Sequence, residues 1–180
     1  MRATGIVRRI DDLGRIVIPK EIRKTMHIRE SDPLEIYTEH DGSIILKKYS
    51  PIGEMGIIAQ QYAESIAGCI PHTICICDQD SIIAAAGPNG KKLIGKLLHE
   101  KSEEALRDRR QLLADKGTSD FIPLISDFPE EFVSMTMMTI LAQGDAIGLM
   151  CILSNKDSLT QQDFMVTQIG ASFLGKQMED

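Results

Sequence analysis

Residues 7–19, Val-Arg-Arg-Ile-Asp-Asp-Leu-Gly-Arg-Ile-Val-Ile-Pro, set two apolar runs around a short acidic turn that contains a glycine. An extended chain points successive side chains to opposite faces. Ile6, Arg8 and Ile10 therefore share one face of a predicted strand, and Val7 and Arg9 the other. Ile16 and Ile18 oppose Arg15 and Val17 in the same way. Asp12-Leu13-Gly14 supplies the turn, because glycine adopts a positive φ at no steric cost. Pro19 ends the second strand and opens a short helix over Lys20 to Thr25, with Ile22 and Met26 one turn apart on one side. Two further strands are predicted at Leu34–Tyr37 and Ile44–Lys47, joined through the hairpin signal Asp41-Gly42. Four short strands and one short helix bury little apolar surface. Chains this small usually need disulfides, a metal or a partner subunit. Residues 1–50 hold no cysteine and no metal-ligand cluster. This segment is expected to fold as an intertwined homodimer, or to lean on the chain that follows.

The charge distribution sharpens that reading. Residues 1–50 carry ten Lys/Arg against eight Asp/Glu, whereas residues 51–180 carry ten against eighteen. Within the first 24 residues, Arg2, Arg8, Arg9, Arg15, Lys20, Arg23 and Lys24 face only Asp11, Asp12 and Glu21. A basic end on an acidic body suits a nucleic-acid contact, and a dimer doubles the patch. A solvated charged face gives the same composition. The guanidinium fork bridges two phosphate oxygens, or the O6 and N7 of guanine.

These residues carry a resemblance. The run from Ala3-Thr4-Gly5-Ile6-Val7-Arg8-Arg9 through Leu13-Gly14-Arg15-Ile16-Val17-Ile18-Pro19-Lys20-Glu21-Ile22-Arg23 resembles the AbrB-type swapped-hairpin DNA-binding domain of bacterial transition-state regulators. In length and order the whole chain is similar to the stage V sporulation protein T family, which joins that domain to a GAF-type domain. The resemblance implies a dimeric swapped-hairpin β-barrel that grips double-stranded DNA. It places Arg8, Arg15, Arg23 and Lys24 on the DNA face, with Arg9 and Arg2 as further candidates. Arg9 alternates with Arg8 and is expected to point away from it. Lys24 keeps the charge but lacks a bidentate fork, which suits a phosphate contact. No recognition helix is visible. Readout is expected to rest on phosphate contacts and on DNA shape.

The second half reads as α+β. Ser50 with Pro51 starts a helix whose apolar stripe is Ile52, Met55, Ile58/Ala59, Tyr62 and Ile66. Thr73–Cys77 and Ile82–Gly87 read as a hairpin around Asp78-Gln79-Asp80, and Pro88-Asn89-Gly90 breaks the second strand. A helix is predicted from Lys91 to about Ala114, with Leu93, Leu97/Leu98 and Ala105 inward, and a short strand at Phe121–Leu124. Met135–Leu141 and Ala146–Leu153 are strands joined through Gln143-Gly144-Asp145. A last helix begins at Thr160, capped by Asp163, with Met165, Ile169 and Phe173 as its apolar stripe. This order describes an antiparallel sheet flanked by helices. It is similar to the GAF-type sensory fold, which implies a domain boundary at 50/51 and a pocket lined by parts of Cys75–Asp78, Ala84–Gly90, Ile122–Phe132 and Met135–Thr139. Which small molecule it takes, or whether side chains such as Met135, Met137 and Met138 fill the space, the sequence leaves open.

Other classes fit less well. Cys69, Cys75, Cys77 and Cys151 match neither a zinc module nor an evident disulfide framework, and a reducing cytoplasm is expected. Cys75 and Cys77 would share one face of a strand near His72, but no base stands at a defined spacing, so catalysis is not expected and no catalytic residue is assigned. His27, His40 and His99 are scattered, and neither metal nor cofactor is expected. No apolar run reaches the ~20 residues that cross a membrane, and no apolar leader segment opens the chain. An antitoxin would bind its toxin with a short flexible tail, whereas the residues after position 50 are patterned throughout. A dimeric sensor or scaffold without DNA readout is the other alternative. The reading favoured here is a DNA-binding transcription regulator. The resemblance further implies late, forespore-stage sporulation genes, control as activator and repressor, and tetramers formed through the terminal helices 52–67 and 160–178.

Overall fold

The computed structural model describes residues 4–129 and 131–179. The chain divides into two compact units, Met1–Tyr49 and Ser50–Asp180.

In the first unit the acidic turn forms as its residues demand. Gly14 sits at φ 76°, its N–H donates to the Asp11 carbonyl at 3.0 Å, and the Asp11 N–H donates to the Arg15 carbonyl at 3.0 Å. The flanking segments 4–10 and 15–19 are not strands in the single chain, contrary to the pattern. A strand exists only where a ladder partner does, and the one ladder among the described residues of this unit joins two other segments. Helix α1 (Lys20–Thr25) follows Pro19, whose φ of −58° and ψ of 147° turn the chain into its first residue. Strands β1 (Leu34–Thr38) and β2 (Ile44–Lys48) pair antiparallel, Thr38 opposite Ile44, with Gly42 at φ 86° in the connecting turn. Lys48 ties the unit together. Its Nζ donates to the His27 carbonyl at 3.3 Å and lies 3.1 Å from an Asp32 carboxylate oxygen. Between residues 4 and 49 only Pro19 is fully buried.

The second unit has a full core. Its sheet runs in the order β4-β3-β7-β6-β5, all antiparallel: β3 (Thr73–Cys77), β4 (Ile82–Ala86), β5 (Gln111–Asp115), β6 (Ser134–Ala142) and β7 (Asp145–Ser154). Alternation sends Ile74, Ile76, Met150 and Ile152 into one layer, and Cys75, Cys77, Leu149, Cys151 and Leu153 into the other. The first layer is closed by Ile52 of α2 (Pro51–Glu54), by Ala59 and Ala63 of α3 (Gly56–Ala67), and by Ala171 and Leu174 of α5 (Gln161–Lys176). Ser50 caps α2 by accepting the Gly53 N–H at 3.1 Å. At the start of α5, Thr160 and Asp163 cap reciprocally. Loops and α4 (Glu100–Arg107) close the second layer with Leu93, Leu106, Leu124 and Phe132.

Four sequence expectations for the second unit need correction. The helix predicted over 91–114 is a 3₁₀ turn at Gly90–Lys92, then α4, then β5. Gly95 at φ 80° and Arg109 at φ 53° break the helical path, and the free edge of β6 draws residues 111–115 into the sheet, where Leu112 and Ala114 turn inward. Phe121–Leu124 is a loop rather than a strand, fixed by the burial of Ile122 and Leu124 and by the Phe121–Phe128 ring contact. The helix after Ser50 breaks at Met55, and Ala63 rather than Ile58 faces the core. Finally, the α5 stripe of Met165, Ile169 and Phe173 is exposed, while Thr167, Gly170, Ala171, Leu174 and Gly175 pack inward. Small residues are needed there because the helix lies directly on the sheet. A Cβ on Gly175 would sit 2.1 Å from the Leu141 carbonyl oxygen.

That contact fixes a sign. Alanine is the better helix former by about 1 kcal/mol. Gly175→Ala is nevertheless expected to lower stability by ~1–3 kcal/mol, because the obstacle is backbone that cannot swing aside. Thermal unfolding of the variant reads this as a lower Tm, and an unchanged or higher Tm would contradict the packing.

Candidate nucleic-acid interface

Among the candidate residues, Arg8, Arg9, Arg15 and Lys24 are exposed and Arg23 is half-buried. Arg2 lies outside the described residues. Arg8 donates from Nη1 to the neighbouring Val7 carbonyl at 3.2 Å. Arg23 and Lys24 occupy the last turn of α1. The Nε of Arg23 is shielded from solvent yet has no hydrogen-bond partner among the described residues. A shielded guanidinium nitrogen with no acceptor carries a desolvation cost.

Arg15 is held most firmly. Its Nε donates to Asp11 Oδ2 at 2.8 Å, and its backbone N–H donates to Asp11 Oδ1, also at 2.8 Å. The Leu13 N–H donates to the same Oδ1 at 3.0 Å. The Arg15 side chain still keeps 69% of its surface exposed. The Arg15 backbone N–H and then its guanidinium hold the Asp11 carboxyl below the usual 3.8. Sequence reading found the turn and the arginine but not this link. The available signal was an aspartate four residues before an arginine across a glycine turn.

In the second unit only some of the residues expected to line a GAF-type pocket pack on one another, while Ile76, Ala84, Ala86 and Met138 belong to the opposite layer of the sheet. Cys75, Cys77, Ala85, Ile122, Leu124, Phe132, Met135 and Met137 form one buried cluster. Burial pushes the Cys75 and Cys77 thiols well up, and a hydrogen bond with the free Cys151 thiol pushes Cys77 further. That is the reverse of what a nucleophile needs. The His72 ring stands 3.9 Å from the Asp163 carboxylate at the start of α5. His99 accepts the Lys101 N–H at 3.1 Å and caps α4, a role not read from the sequence. An open groove of about 300 Å³ lies at the edge of β4, between Gln60 and Glu64 of α3 and the segment carrying Asn89, Lys91 and Lys92. Among the described residues, no group of three or more His, Cys, Asp or Glu could hold a metal ion, and no helix is long and apolar enough to cross a membrane.

Comparison with known proteins decides the family. Residues 54–179 match the family described as "Stage V sporulation protein T C-terminal, transcription factor". The chain belongs to the stage V sporulation protein T family. Its similarity to stage V sporulation protein T of Bacillus subtilis (strain 168) is 44% identity over 179 residues, 99% of each chain. Residues 7–54 match a second family, "Antidote-toxin recognition MazE, bacterial antitoxin". Over 51 residues the chain is 61% identical to the transition state regulatory protein AbrB of the same strain, 28% of this chain and 52% of AbrB. The second unit shares its fold with a GAF domain/HD domain protein from Geobacter sulfurreducens, at TM-score 0.54 and 12% identity, covering 74% of this chain and 99% of that one. An AbrB-like unit followed by a GAF-like unit makes this family member a transcription regulator of sporulation genes.

The turn gives a pH prediction. A carboxyl held below its usual value stabilises the fold above that value, and loses the contribution as pH falls through the lowered one. The Asp11 carboxyl carbon is therefore expected to titrate below 3.8, with the Arg15 Nε–H resonance moving alongside it. NMR titration checks both. A midpoint at or above 3.8 would contradict the geometry.

Proposed function

We propose that two copies of this chain intertwine their first fifty residues and grip double-stranded DNA through Arg8, Arg15, Arg23 and Lys24, with Arg9 and Arg2 as further contacts. Residues 51–180 extend the assembly to a tetramer through α3 and α5 and act as a ligand-responsive body. The genes controlled are late, forespore-stage sporulation genes, some activated and some repressed. The chain works by binding and not by catalysis.

One observation carries this reading. Among the described residues, Arg8, Arg9, Arg23 and Lys24 meet no carboxylate, and Arg15 meets Asp11 while leaving most of its surface open. In a chain with an excess of acid, such cations are left over for an outside anion. Phosphate contacts of this kind release counterions and give affinity with loose sequence preference. Two units joined in one assembly raise avidity on paired sites without new contacts. The exposed α5 stripe, with Phe173 stacked on Tyr62 of α3 at 5.0 Å, supplies the apolar face for the wider assembly.

Gel-shift titration on promoter-length duplex tests it. Arg15→Ala and Arg23→Ala are each expected to weaken binding by about tenfold or more, the loss of one good contact. Sedimentation should report an unchanged oligomer for both. Wild-type affinity in either variant would remove that residue from the interface. No binding by the wild-type chain at low salt would favour the sensor or scaffold.

A further inference from the structure

Asp11 is an acid set among the arginines of a basic segment. Simple electrostatics says that it repels DNA and that neutralising it should tighten binding. The structure gives it another task. One of its carboxylate oxygens accepts the backbone N–H groups of Leu13 and Arg15, and the other accepts Nε–H of the Arg15 side chain. The Nε edge of the guanidinium is thereby fixed to the turn, while the terminal Nη1 and Nη2 edge remains. That edge carries four donors in one plane and suits a phosphate or the O6 and N7 of guanine. Asp12, the next residue, accepts no hydrogen bond from another described residue and is exposed.

We propose that Asp11 is a positioning residue of the DNA grip, holding the Arg15 guanidinium by its Nε so that its terminal nitrogens are presented to the nucleic acid. The proposal rests on the reading that Arg15 touches DNA. A free arginine side chain loses rotamer freedom when it binds, and an arginine already held has less to lose. The stabilised turn supplies the same order to the backbone beneath it.

Asparagine separates the two jobs. Asp11→Asn keeps one side-chain oxygen for the two backbone N–H groups. It turns an amide nitrogen toward Nε, which that nitrogen cannot accept. Asp12→Asn removes the same charge one residue away. The experiment is fluorescence anisotropy of the full chain on a promoter-length duplex across a salt series. The chains compared are wild type, Asp11→Asn, Asp12→Asn, Arg15→Ala and the double variant Asp11→Asn/Arg15→Ala. Asp11→Asn is expected to bind between about two- and tenfold more weakly than Asp12→Asn, with the slope of log K against log salt unchanged. Arg15→Ala is expected to reduce that slope by about one. In the Arg15→Ala background, Asp11→Asn should cost less than in the wild type, and that difference isolates the pair even if the turn itself loosens. Faster water exchange of the Arg15 Nε–H in Asp11→Asn, with the Leu13 amide shift retained, is the accompanying signature.

If Asp11→Asn binds as tightly as Asp12→Asn while Arg15→Ala is weak, Asp11 is only a repulsive charge and the proposal fails alone. Equal losses from Asp11→Asn with and without Arg15 would place its role in the turn, and overturn positioning. Wild-type affinity in Arg15→Ala would overturn the DNA reading of Arg15, and this proposal with it.

Discussion

Burial in the first unit is the constraint on which everything else depends. Val7, Ile10, Leu13, Ile16, Val17, Ile36 and Ile44 each expose more than half of their surface in the single chain, and among the described residues of this unit Pro19 alone is buried. Each such side chain gains about 1.5–3 kcal/mol when taken fully out of water. Local interactions here cannot replace that. They include an Asp-capped turn, one helix of under two turns, a two-stranded hairpin and the Lys48–Asp32 pair. In the proposed dimer, a second copy would supply what is missing: ladder partners for residues 4–10 and 15–19, and a face for the apolar side chains. Dimerisation would then be the step that makes the DNA grip, bringing two sets of arginines onto one assembly.

The second unit obeys a different economy. Its sheet is covered on both faces, so its strands read as continuous apolar runs. Its last helix approaches so closely that glycine is required at Gly175, where a Cβ would meet the Leu141 carbonyl oxygen. Close approach explains why the inward face of α5 is built from small residues while its large apolar ones point outward. It also explains the thiols. Cys75, Cys77 and Cys151 lie in the middle of a packed layer, where cysteine serves as a small apolar side chain, and burial favours the neutral thiol of Cys75 and Cys77.

Much of this was legible in the sequence, where local chemistry decides the outcome. Gly14, Gly42 and the Gln143-Gly144 turn, the Ser50-Pro51 start and the Thr160–Asp163 cap all stand where turn and capping rules put them. Arg8, Arg15, Arg23 and Lys24 are proposed as the grip on a resemblance that spans the segment around them. What was not legible is set by tertiary context. Residues 111–115 lie in a stretch with helical spacing and became a strand because β6 offers an edge. The stripe of Met165, Ile169 and Phe173 has the period of a buried face, and period alone does not say which of two apolar faces meets the sheet. Asp11 escaped notice because its role is a contact between two charged, exposed side chains, which a hydropathy pattern does not register.

The most direct test of the central claim is a methyl NMR experiment on full-length chain mixed from two differently labelled preparations and refolded together. Intermolecular NOEs should connect the methyl groups of Val7, Ile16 and Val17 of one copy to apolar residues of the other, and the mixed species should form only after unfolding. NOEs from those methyls that are all intramolecular, in a first unit that stays folded as a monomer, would contradict the claim that this DNA-binding unit acquires its core from a second copy.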